Sequence, residues 1–255
     1  MSLVNFSLSD KVAIVTGGGR GIGRAIALGF AEAGAHVVVT ARTTSEVEKV
    51  AGEVAALGRR SLPLTVDVSQ RGQVEGMVAQ TLAEFGKIDI LANNAGISPA
   101  YTRAESLSEE DWDRIIAVNL KGTFLCCQAV GRVMIGQQRG KIINMLSAGA
   151  HVALPRLVAY CATKGGGEMI TKVLAVEWAK HNIQVNAIAP AYVATDFTSG
   201  LRANQKIYEN LMVRSPVGRM AEPEEIVSTA IFLAADSSNY VSGTTVMVDA
   251  AWTAW

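Results

Sequence analysis

Apolar residues along this chain follow two alternating patterns. Short continuous apolar runs predict buried strands at 11–16, 35–41, 61–66, 88–92, 140–146, 183–189 and 244–249. Between them, apolar residues at helical spacing predict helices at 21–33, 44–57, 70–85, 108–135 (as one helix or a broken one), 157–180 and 222–235. Strands that alternate with helices favour a parallel sheet with helices on both faces. The pattern therefore predicts an α/β fold with a doubly wound parallel sheet of about seven strands.

The same pattern predicts a single domain over residues 1–255. The chain contains no repeat, low-complexity tract or linker, and α/β chains of this length often form one domain. The segment 191–221 differs, because its periodicity is weaker and it is rich in polar residues. Such a stretch beside a site is often a lid, and the alternative is an ordinary surface excursion of helix and loop.

Composition narrows the class of protein. Apolar residues make up 49% of the chain and the formal net charge is zero, which suits a compact soluble enzyme and gives no electrostatic case for nucleic acid. No apolar run reaches the roughly 18 residues of a membrane span, and residues 1–10 do not have the pattern of a signal peptide. The cysteines Cys126, Cys127 and Cys161 form no Cys-x-x-Cys pair and no metal-ligand spacing. We therefore expect reduced thiols, a cytoplasmic location and no bound metal.

Candidate chemistry begins with Tyr160 and Lys164, which lie one turn apart on one face of the predicted helix. An ammonium near a phenol favours the phenolate and lowers the tyrosine pKa from about 10. Such a phenol can act as general acid or base toward a carbonyl or an alcohol. Ser147 follows the apolar run 140–146, where its hydroxyl could hydrogen-bond the same oxygen. Taken alone, however, a Tyr-x-x-x-Lys pair is more often a chance surface pair.

A second candidate is the glycine-rich turn that joins the predicted strand 11–16 to the helix 21–33. Glycines let the backbone approach a pyrophosphate, and a helix N-terminus offers free amides and a positive dipole end. The spacing Gly17-x-x-x-Gly21-x-Gly23 departs from the strict G-x-G-x-x-G form, so a plain tight turn is the alternative.

Together these motifs resemble the short-chain dehydrogenase/reductase family. The resemblance covers essentially the whole chain in the family's order, and the combined set of motifs is very specific. The motifs are Thr16-Gly17-x-x-x-Gly21-Ile22-Gly23, Asn93-Asn94-Ala95-Gly96, Asn119, Ser147, Tyr160-x-x-x-Lys164 and Pro190-x-x-Val193-x-Thr195. The resemblance implies a single-domain Rossmann-type fold. Within the family, the downstream sequence is similar to ketoacyl-type carbonyl reductases and to sugar-acid or polyol dehydrogenases.

The resemblance implies hydride transfer between a nicotinamide and a ketone or secondary alcohol. In this scheme Tyr160 is the acid and base, Lys164 holds the nicotinamide ribose and lowers the tyrosine pKa, and Ser147 orients the substrate oxygen. Asn119 completes the implied catalytic set by ordering a water linked to the lysine. The enzyme alternative is an NAD-linked sugar-acid or polyol dehydrogenase. The non-enzyme alternative is a nucleotide sensor, which would need no acid or base.

The predicted cofactor is NADP(H). No acid ends the second predicted strand, where NAD-linked enzymes usually carry one, and Glu46 is the first acid after it. Arg42 and Arg20 match the basic positions of NADP-linked relatives, and arginine suits phosphate. Both could instead be solvated surface charges. The residues that the resemblance assigns to the cofactor are Gly17, Gly19, Arg20, Gly21, Ile22, Gly23, Arg42, Asp67, Val68, Asn93, Ala95, Gly96, Tyr160, Lys164, Pro190, Val193 and Thr195.

The substrate is a small carbonyl or alcohol that the sequence does not name. Candidate pocket residues are Ser147, Ala148, His151, Leu154, Tyr160 and Tyr192. His151 is a better wall or surface residue than a second base, because Tyr160 fills that role. Trp252 and Trp255 near the chain's end are better subunit anchors than base-stacking groups. The resemblance implies homotetramers built through the helix 157–180 and the chain's end.

Some positions depart from the family's usual pattern. Leu146 stands where a small or hydroxylated residue is common, Ala191 where glycine is usual, and Gly167 where an apolar residue is common. Ala250 and Ala251 replace a frequent pair of glycines. None of these changes removes a catalytic group. They bear on local stability and pocket shape, and several together would suit an engineered variant.

Overall fold

Parallel strands form the centre of the molecule. The structure is a computed structural model that describes residues 4–98 and 100–254. Its strands are β1 (Val12–Thr16), β2 (His36–Ala41), β3 (Ser61–Thr65), β4 (Ile90–Asn93), β5 (Gly140–Met145), β6 (Ile183–Pro190) and β7 (Thr245–Val248). They form one sheet in the order β3-β2-β1-β4-β5-β6-β7, and each neighbouring pair is parallel. The predicted doubly wound α/β fold is confirmed.

Helices cover both faces of this sheet. They are α1 (Gly21–Glu32), α2 (Thr44–Ala56), α3 (Arg71–Phe85), α4 (Glu109–Ile115), α5 (Thr123–Gln137), α6 (Val158–Trp178), α7 (Ser199–Ala203), α8 (Gln205–Met212) and α9 (Val227–Ala234). Helices α1, α2 and α9 pack in one core cluster, whereas α3, α5 and α6 pack in another. Within β2, Val37 and Val39 belong to the first cluster and Val38 to the second. This alternation of two buried faces explains why the strands are continuous apolar runs.

Element boundaries differ from the predictions where side chains take over backbone hydrogen bonds. Strand β4 begins at Ile90 and not at 88, because the backbone of Ile88 pairs with the Gln137 side chain (3.1 and 2.8 Å). The predicted helix 108–135 is broken by a π-helical stretch, Ile116–Gly122, between α4 and α5. The predicted helix 222–235 begins with a 3₁₀ turn, Pro223–Ile226, before α9.

The segment 191–221 forms an excursion that is closed at its base. It contains a 3₁₀ turn, Asp196–Thr198, and the short helices α7 and α8. Its two ends meet where the Ala194 amide donates to Ala221 (2.8 Å) and the Ala221 amide donates to Tyr192 (2.9 Å). The predicted irregularity is therefore present, and lid motion remains a prediction.

Two negative findings apply to the described ranges 4–98 and 100–254. No helix there is long and apolar enough to cross a membrane. No group of three His, Cys, Asp or Glu side chains there could hold a metal ion. The three cysteines are all free thiols.

Candidate active site

The predicted site residues converge at the carboxyl edge of the sheet, where β1, β4, β5 and β6 end side by side. The Thr16 hydroxyl ties two of these ends together by accepting from the amides of Asn94 and Ala95 (both 3.1 Å). Clefts beyond the carboxyl ends of parallel strands are where open α/β sheets bind ligands. The fold thus places the candidate residues in the position expected for a ligand site.

Lys164 links helix α6 to the end of β5. Its ammonium donates to the Met145 carbonyl (2.7 Å) and lies 5.4 Å from the centroid of the Tyr160 ring. The Ser147 hydroxyl accepts from the Gly149 amide (3.1 Å) and thereby starts the 3₁₀ turn Ala148–Ala150. Lys164 is buried and Tyr160 is half-buried, so the predicted acid and the neighbouring ammonium lie in the same desolvated part of the site.

The pKa of Tyr160 is raised in the structure, and not lowered as the sequence predicts. Burial raises the pKa of Tyr160 to about 12, and its hydrogen bond with Ser147 only partly opposes that rise. The ammonium is over the ring, and desolvation lowers the pKa of Lys164 to about 8. Desolvation therefore opposes the charged form of both groups, whereas an ammonium near the phenol favours the phenolate.

Asn119 lies in the π-helical stretch and bonds to the segment after β4. Its side chain accepts from the Ile97 amide and donates to the Ile97 carbonyl (both 2.8 Å). It also approaches the Thr163 hydroxyl (3.4 Å), next to Lys164. Asn119 therefore ties the π-helical stretch to the segment after β4, and its place in a proton relay stays a prediction.

The glycine-rich turn is built for close backbone approach. A Cβ on Gly23 would lie 2.1 Å from the Gly17 carbonyl oxygen and 2.5 Å from Asn94 Nδ2, so only glycine fits there. Gly17 and Gly21 have φ of +63° and +52°, a region that glycine adopts readily. No described side chain caps α1, and its first turn carries no acid. Its free amides fit a phosphate group, as a dinucleotide requires.

Both predicted basic residues lie at the surface beside this turn, but Arg20 already has carboxylate neighbours. Its guanidinium is 3.7 Å from Glu46 and 4.0 Å from Asp196 of the 191–221 excursion. Arg42 is exposed at the end of β2. Helix α2 therefore places Glu46 next to the glycine turn, a proximity that the positions of these residues in the sequence do not indicate.

Some of the other predicted cofactor residues have side chains that are engaged in hydrogen bonds within the protein. Asn93 is buried and donates to Asn144 (2.9 Å), so its side chain joins β4 to β5 and does not face the cleft. One Asp67 oxygen accepts from the Ser69 amide and hydroxyl (2.9 and 2.7 Å). A Cβ on Gly21 would lie 3.2 Å from Thr195, so the excursion touches the glycine turn. The remaining predicted positions are Gly19 in the glycine turn, Ile22 in α1, Val68 after β3, Ala95 and Gly96 after β4, Pro190 at the end of β6 and Val193 after it.

The candidate residues of the substrate pocket have different surroundings in the structure. Ala148 is buried, and His151 is 3.7 Å from Glu168 on α6, so the preference for a wall role over a second base stays a prediction. Leu154 lies beside Gly149, within 2.9 Å of where a Cβ would be. Tyr192 meets the Trp252 ring edge-on at 5.8 Å.

The expectation for Trp252 is wrong. Its side chain is 2% exposed and packs inside its own chain, so it is unavailable to anchor a neighbouring subunit. Trp255 lies outside the described residues. A cavity of about 280 Å³ lies beside Trp252, between the excursion and the end of the sheet. Its lining includes Ala191, Tyr192, Met212, Ser215, Asp249 and Ala250.

Two contributors were missed from the sequence. Asn94 holds the glycine turn, since its side-chain amide donates to the Thr16 and Gly17 carbonyls (3.1 and 3.0 Å). Both asparagines belong to the predicted Asn93-Asn94-Ala95-Gly96 motif, but only Asn93 was assigned to the cofactor. The local sequence does not distinguish which of the two side chains faces the glycine turn. Phe197 in the excursion lies 6.1 Å from the Tyr160 ring, a contact that no sequence pattern signals.

The site combines a glycine turn with free amides for a phosphate and a Ser-Tyr-Lys cluster at the same edge of a doubly wound sheet. This combination defines the class of nicotinamide-dependent oxidoreductases. The comparisons agree, because the family model described as enoyl-(acyl carrier protein) reductase matches residues 17–253. The chain belongs to the short-chain dehydrogenase/reductase family.

Relatives carry dehydrogenase names. The 2-dehydro-3-deoxy-D-gluconate 5-dehydrogenase of Dickeya dadantii is 43% identical over 100% of both chains. The NAD-dependent glycerol dehydrogenase of Listeria innocua is 41% identical over 98% of this chain and 96% of its own. Among solved structures, a gluconate 5-dehydrogenase from Burkholderia cenocepacia in complex with NADP and tartrate is 37% identical, covers 100% of both chains and has a TM-score of 0.95.

Proposed function

We propose that the protein is an NADP(H)-preferring carbonyl reductase and alcohol dehydrogenase whose substrates are sugar acids or polyols. The observation that carries this proposal is the desolvated Ser147–Tyr160–Lys164 cluster beside the uncapped N-terminus of α1. The sugar-acid and polyol dehydrogenases among its relatives support the substrate class.

In the proposed mechanism, the chain holds substrate and proton in position. A bound nicotinamide would supply the hydride for reduction of the carbonyl carbon, or accept it in oxidation of the carbinol carbon. In reduction, Tyr160 donates its hydroxyl proton to the substrate oxygen as the carbonyl electron pair moves onto it; in oxidation, the phenolate takes that proton back. Ser147 hydrogen-bonds the same oxygen. The Lys164 ammonium favours the phenolate, and the amides of the glycine turn and α1 hold the phosphates.

The preference for NADP(H) rests on charge at the end of β2. Arg42 is exposed there, and Arg20 lies across the glycine turn, so a 2′-phosphate would meet two guanidiniums. Glu46 favours the alternative of NAD, because its carboxylate is near Arg20 and is of the type that binds a ribose hydroxyl. The two arginines outweigh this carboxylate, because Arg42 is exposed and the contacts of Arg20 with Glu46 and Asp196 are long (3.7 and 4.0 Å).

Assembly and location complete the proposal. Helix α6 carries Val158, Met169, Val173 and Val176 in exposed positions (43, 56, 47 and 78%), which leaves an apolar face open. Such a face is typical of a subunit interface, so we propose a homotetramer that uses α6. The three free thiols favour a cytoplasmic setting.

A substrate panel tests the proposed function. Purified protein is given NADP⁺ or NAD⁺ with gluconate, sorbitol, glycerol and a simple secondary alcohol, and reduced nicotinamide is followed by absorbance. Ketone reduction is followed in reverse. We expect turnover of a polyhydroxylated substrate with a higher kcat/KM for NADP⁺. Turnover of the simple alcohol alone, or no turnover of any substrate, contradicts the proposal.

A further inference from the structure

Arg214 lies just after α8 and beside Trp252, and it has no counter-ion among the described residues. Its guanidinium lies over the Trp252 ring, 4.6 Å from the centroid. Within residues 4–98 and 100–254 it has no hydrogen bond or ion pair. Other arginines of the excursion are occupied: Arg202 donates to the Thr195 carbonyl (2.8 Å), and Arg219 binds Glu225 through two bonds (2.6 and 2.8 Å).

The platform beneath Arg214 is rigid. Trp252 is 2% exposed, and the turn that carries it is held by Asp249, whose carboxylate accepts from the amides of Ala251 and Thr253 (3.1 and 2.9 Å). Tyr192 supports the same ring edge-on at 5.8 Å. A guanidinium that lies over an indole keeps its N–H donors free at its edge. Arg214 is therefore positioned to bind an anion without losing its packing.

Tyr192 connects this cation to the reacting tyrosine. Burial raises the pKa of Tyr192, and the Arg214 guanidinium partly opposes that rise; burial also raises the pKa of Tyr160, to which Tyr192 adds a smaller effect. Tyr192 and Trp252 also line the 280 Å³ cavity beside the excursion. A substrate that reacts at Tyr160 and extends into this cavity, past Tyr192 and Trp252, would bring its far end toward Arg214.

We propose that Arg214 binds the carboxylate of the substrate, so that the enzyme favours hydroxy acids and keto acids over neutral polyols of the same length. This inference rests on the proposed function and narrows its substrate class. The fork of donors on a guanidinium matches the two oxygens of a carboxylate, which a neutral CH₂OH group cannot replace.

Arg156 is the main competitor. It also has only a ring contact, 5.4 Å from the centroid of Tyr101. That ring is 51% exposed, in contrast to the buried Trp252, so its platform is less fixed. Arg156 therefore serves as the comparison residue in the test.

The test compares substrates that differ only in the carboxylate. The kcat/KM ratio of gluconate to sorbitol is measured for the parent, Arg214→Met, Arg214→Lys and Arg156→Met. Methionine keeps apolar contact with the indole, and lysine keeps charge but loses the fork. We expect Arg214→Met to lower the ratio about ten- to a hundredfold, which is the scale of hydrogen bonds to a charged group. Arg214→Lys should lower the ratio less, and Arg156→Met should leave it unchanged. An unchanged ratio in Arg214→Met, or the larger loss in Arg156→Met, overturns the inference.

A binding measurement separates this inference from the proposed function. Tryptophan fluorescence is titrated with tartrate and with threitol, its neutral counterpart, which requires no turnover. We expect tartrate to change the signal of the parent, and to do so at a tenfold or higher concentration in Arg214→Met. If tartrate binding depends on Arg214 while no substrate turns over, the reaction is wrong and the carboxylate site stands. Equal binding by the parent and Arg214→Met overturns the site whatever the activity.

Discussion

Leu146 occupies the space that a side chain at position 167 would need. A Cβ on Gly167 would lie 2.8 Å from Leu146 Cδ2, and both residues are buried. Leu146 directly precedes Ser147, and Gly167 lies one turn after Lys164 on α6. Two departures from the family's pattern thus complement each other next to the Ser147–Tyr160–Lys164 cluster.

This contact makes Gly167 a packing residue. Glycine in a helix interior ordinarily costs about 1 kcal/mol relative to alanine, so an open glycine should be improved by Gly→Ala. We expect Gly167→Ala to lower the melting temperature, because the buried Leu146 must move. Gly52 in α2, with no atom within 4 Å of its Cβ position, is the matched control, and Gly52→Ala should raise the melting temperature.

A double-mutant cycle isolates the contact between the two side chains. Gly167→Ala should cost less when Leu146 is already replaced by alanine, since the clash is then gone. Calorimetry of the four proteins measures the coupling. Equal effects of Gly167→Ala in both backgrounds, or a raised melting temperature in the parent, would show that Leu146 yields freely.

Tyr160→Phe tests the assigned acid and base. The substitution keeps the ring beside Phe197 and removes the proton, so kcat should fall roughly 10²–10⁴-fold with little change in NADPH affinity. Steady-state kinetics and a fluorescence titration measure the two effects. Tyr240→Phe changes a fully exposed tyrosine and should leave both unchanged. Activity above about a tenth of the parent's in Tyr160→Phe contradicts the assignment.

The buried ammonium of Lys164 gives the stability a pH dependence. Burial lowers its pKa from 10.5 to about 8, so between these values the unfolded chain holds a proton that the folded chain has lost. The free energy of unfolding should therefore rise with pH across that window, and no such gain exists below about 8.

Urea denaturation of the parent and Lys164→Met at pH 7 and pH 9.5 measures this contribution. The rise should be smaller in Lys164→Met. Lys141, whose pKa is also lowered to about 8 by burial, contributes to the rise that remains. An identical rise in both proteins would show that the Lys164 ammonium is not desolvated.

The proposed α6 interface predicts that one charge can dissociate the assembly. Val176 is 78% exposed near the end of α6, and a lysine there would have to be desolvated between subunits. We expect Val176→Lys to reduce the mass measured by light scattering. Leu57→Lys, at the exposed end of α2, places the same charge at a comparable helix end and should leave the mass unchanged. A monomeric parent at micromolar concentration contradicts the tetramer.

The sequence predicted the sheet well because its signal is local. Strands β1, β2, β4, β5 and β6 are largely buried on both faces, and the edge strands β3 and β7 are partly buried. The apolar runs therefore marked all of the strands that the structure describes. Strand and helix ends were less accurate, since contacts such as Gln137 with Ile88 depend on distant segments.

The site was predicted by motif, but its contacts were not. Helical spacing placed Tyr160 and Lys164 on one face, whereas their unfavourable charging depends on desolvation by the whole fold. Likewise, nothing local reveals that Trp252 turns inward to lie beneath Arg214. Long-range packing decides these features, and residue type alone does not specify them.

The first cofactor prediction is that Arg42 binds the 2′-phosphate of NADP(H). A 2′-phosphate bound by its exposed guanidinium should gain about 1.5–3 kcal/mol, the scale of a hydrogen bond to a charged group. Arg42→Gln should therefore weaken NADPH about ten- to a hundredfold and barely affect NADH. Fluorescence titration with both cofactors measures this. An equal loss for both would mean that Arg42 acts through the fold, and a parent kcat/KM with NADH that equals or exceeds NADPH would overturn the preference.

Glu46 should act in the opposite direction. Its carboxylate is 3.7 Å from Arg20, where it competes with a 2′-phosphate for the guanidinium and repels the phosphate directly. Because the pair is largely exposed, its removal is worth at most about 1 kcal/mol, so Glu46→Gln should tighten NADPH about two- to fivefold, more at low salt, without tightening NADH. Glu48→Gln removes the same charge from an exposed position of the same helix and is the matched control. If both variants tighten NADPH equally, the effect is one of general charge; if Glu46→Gln weakens NADPH, Glu46 positions Arg20 for the phosphate and does not compete with it.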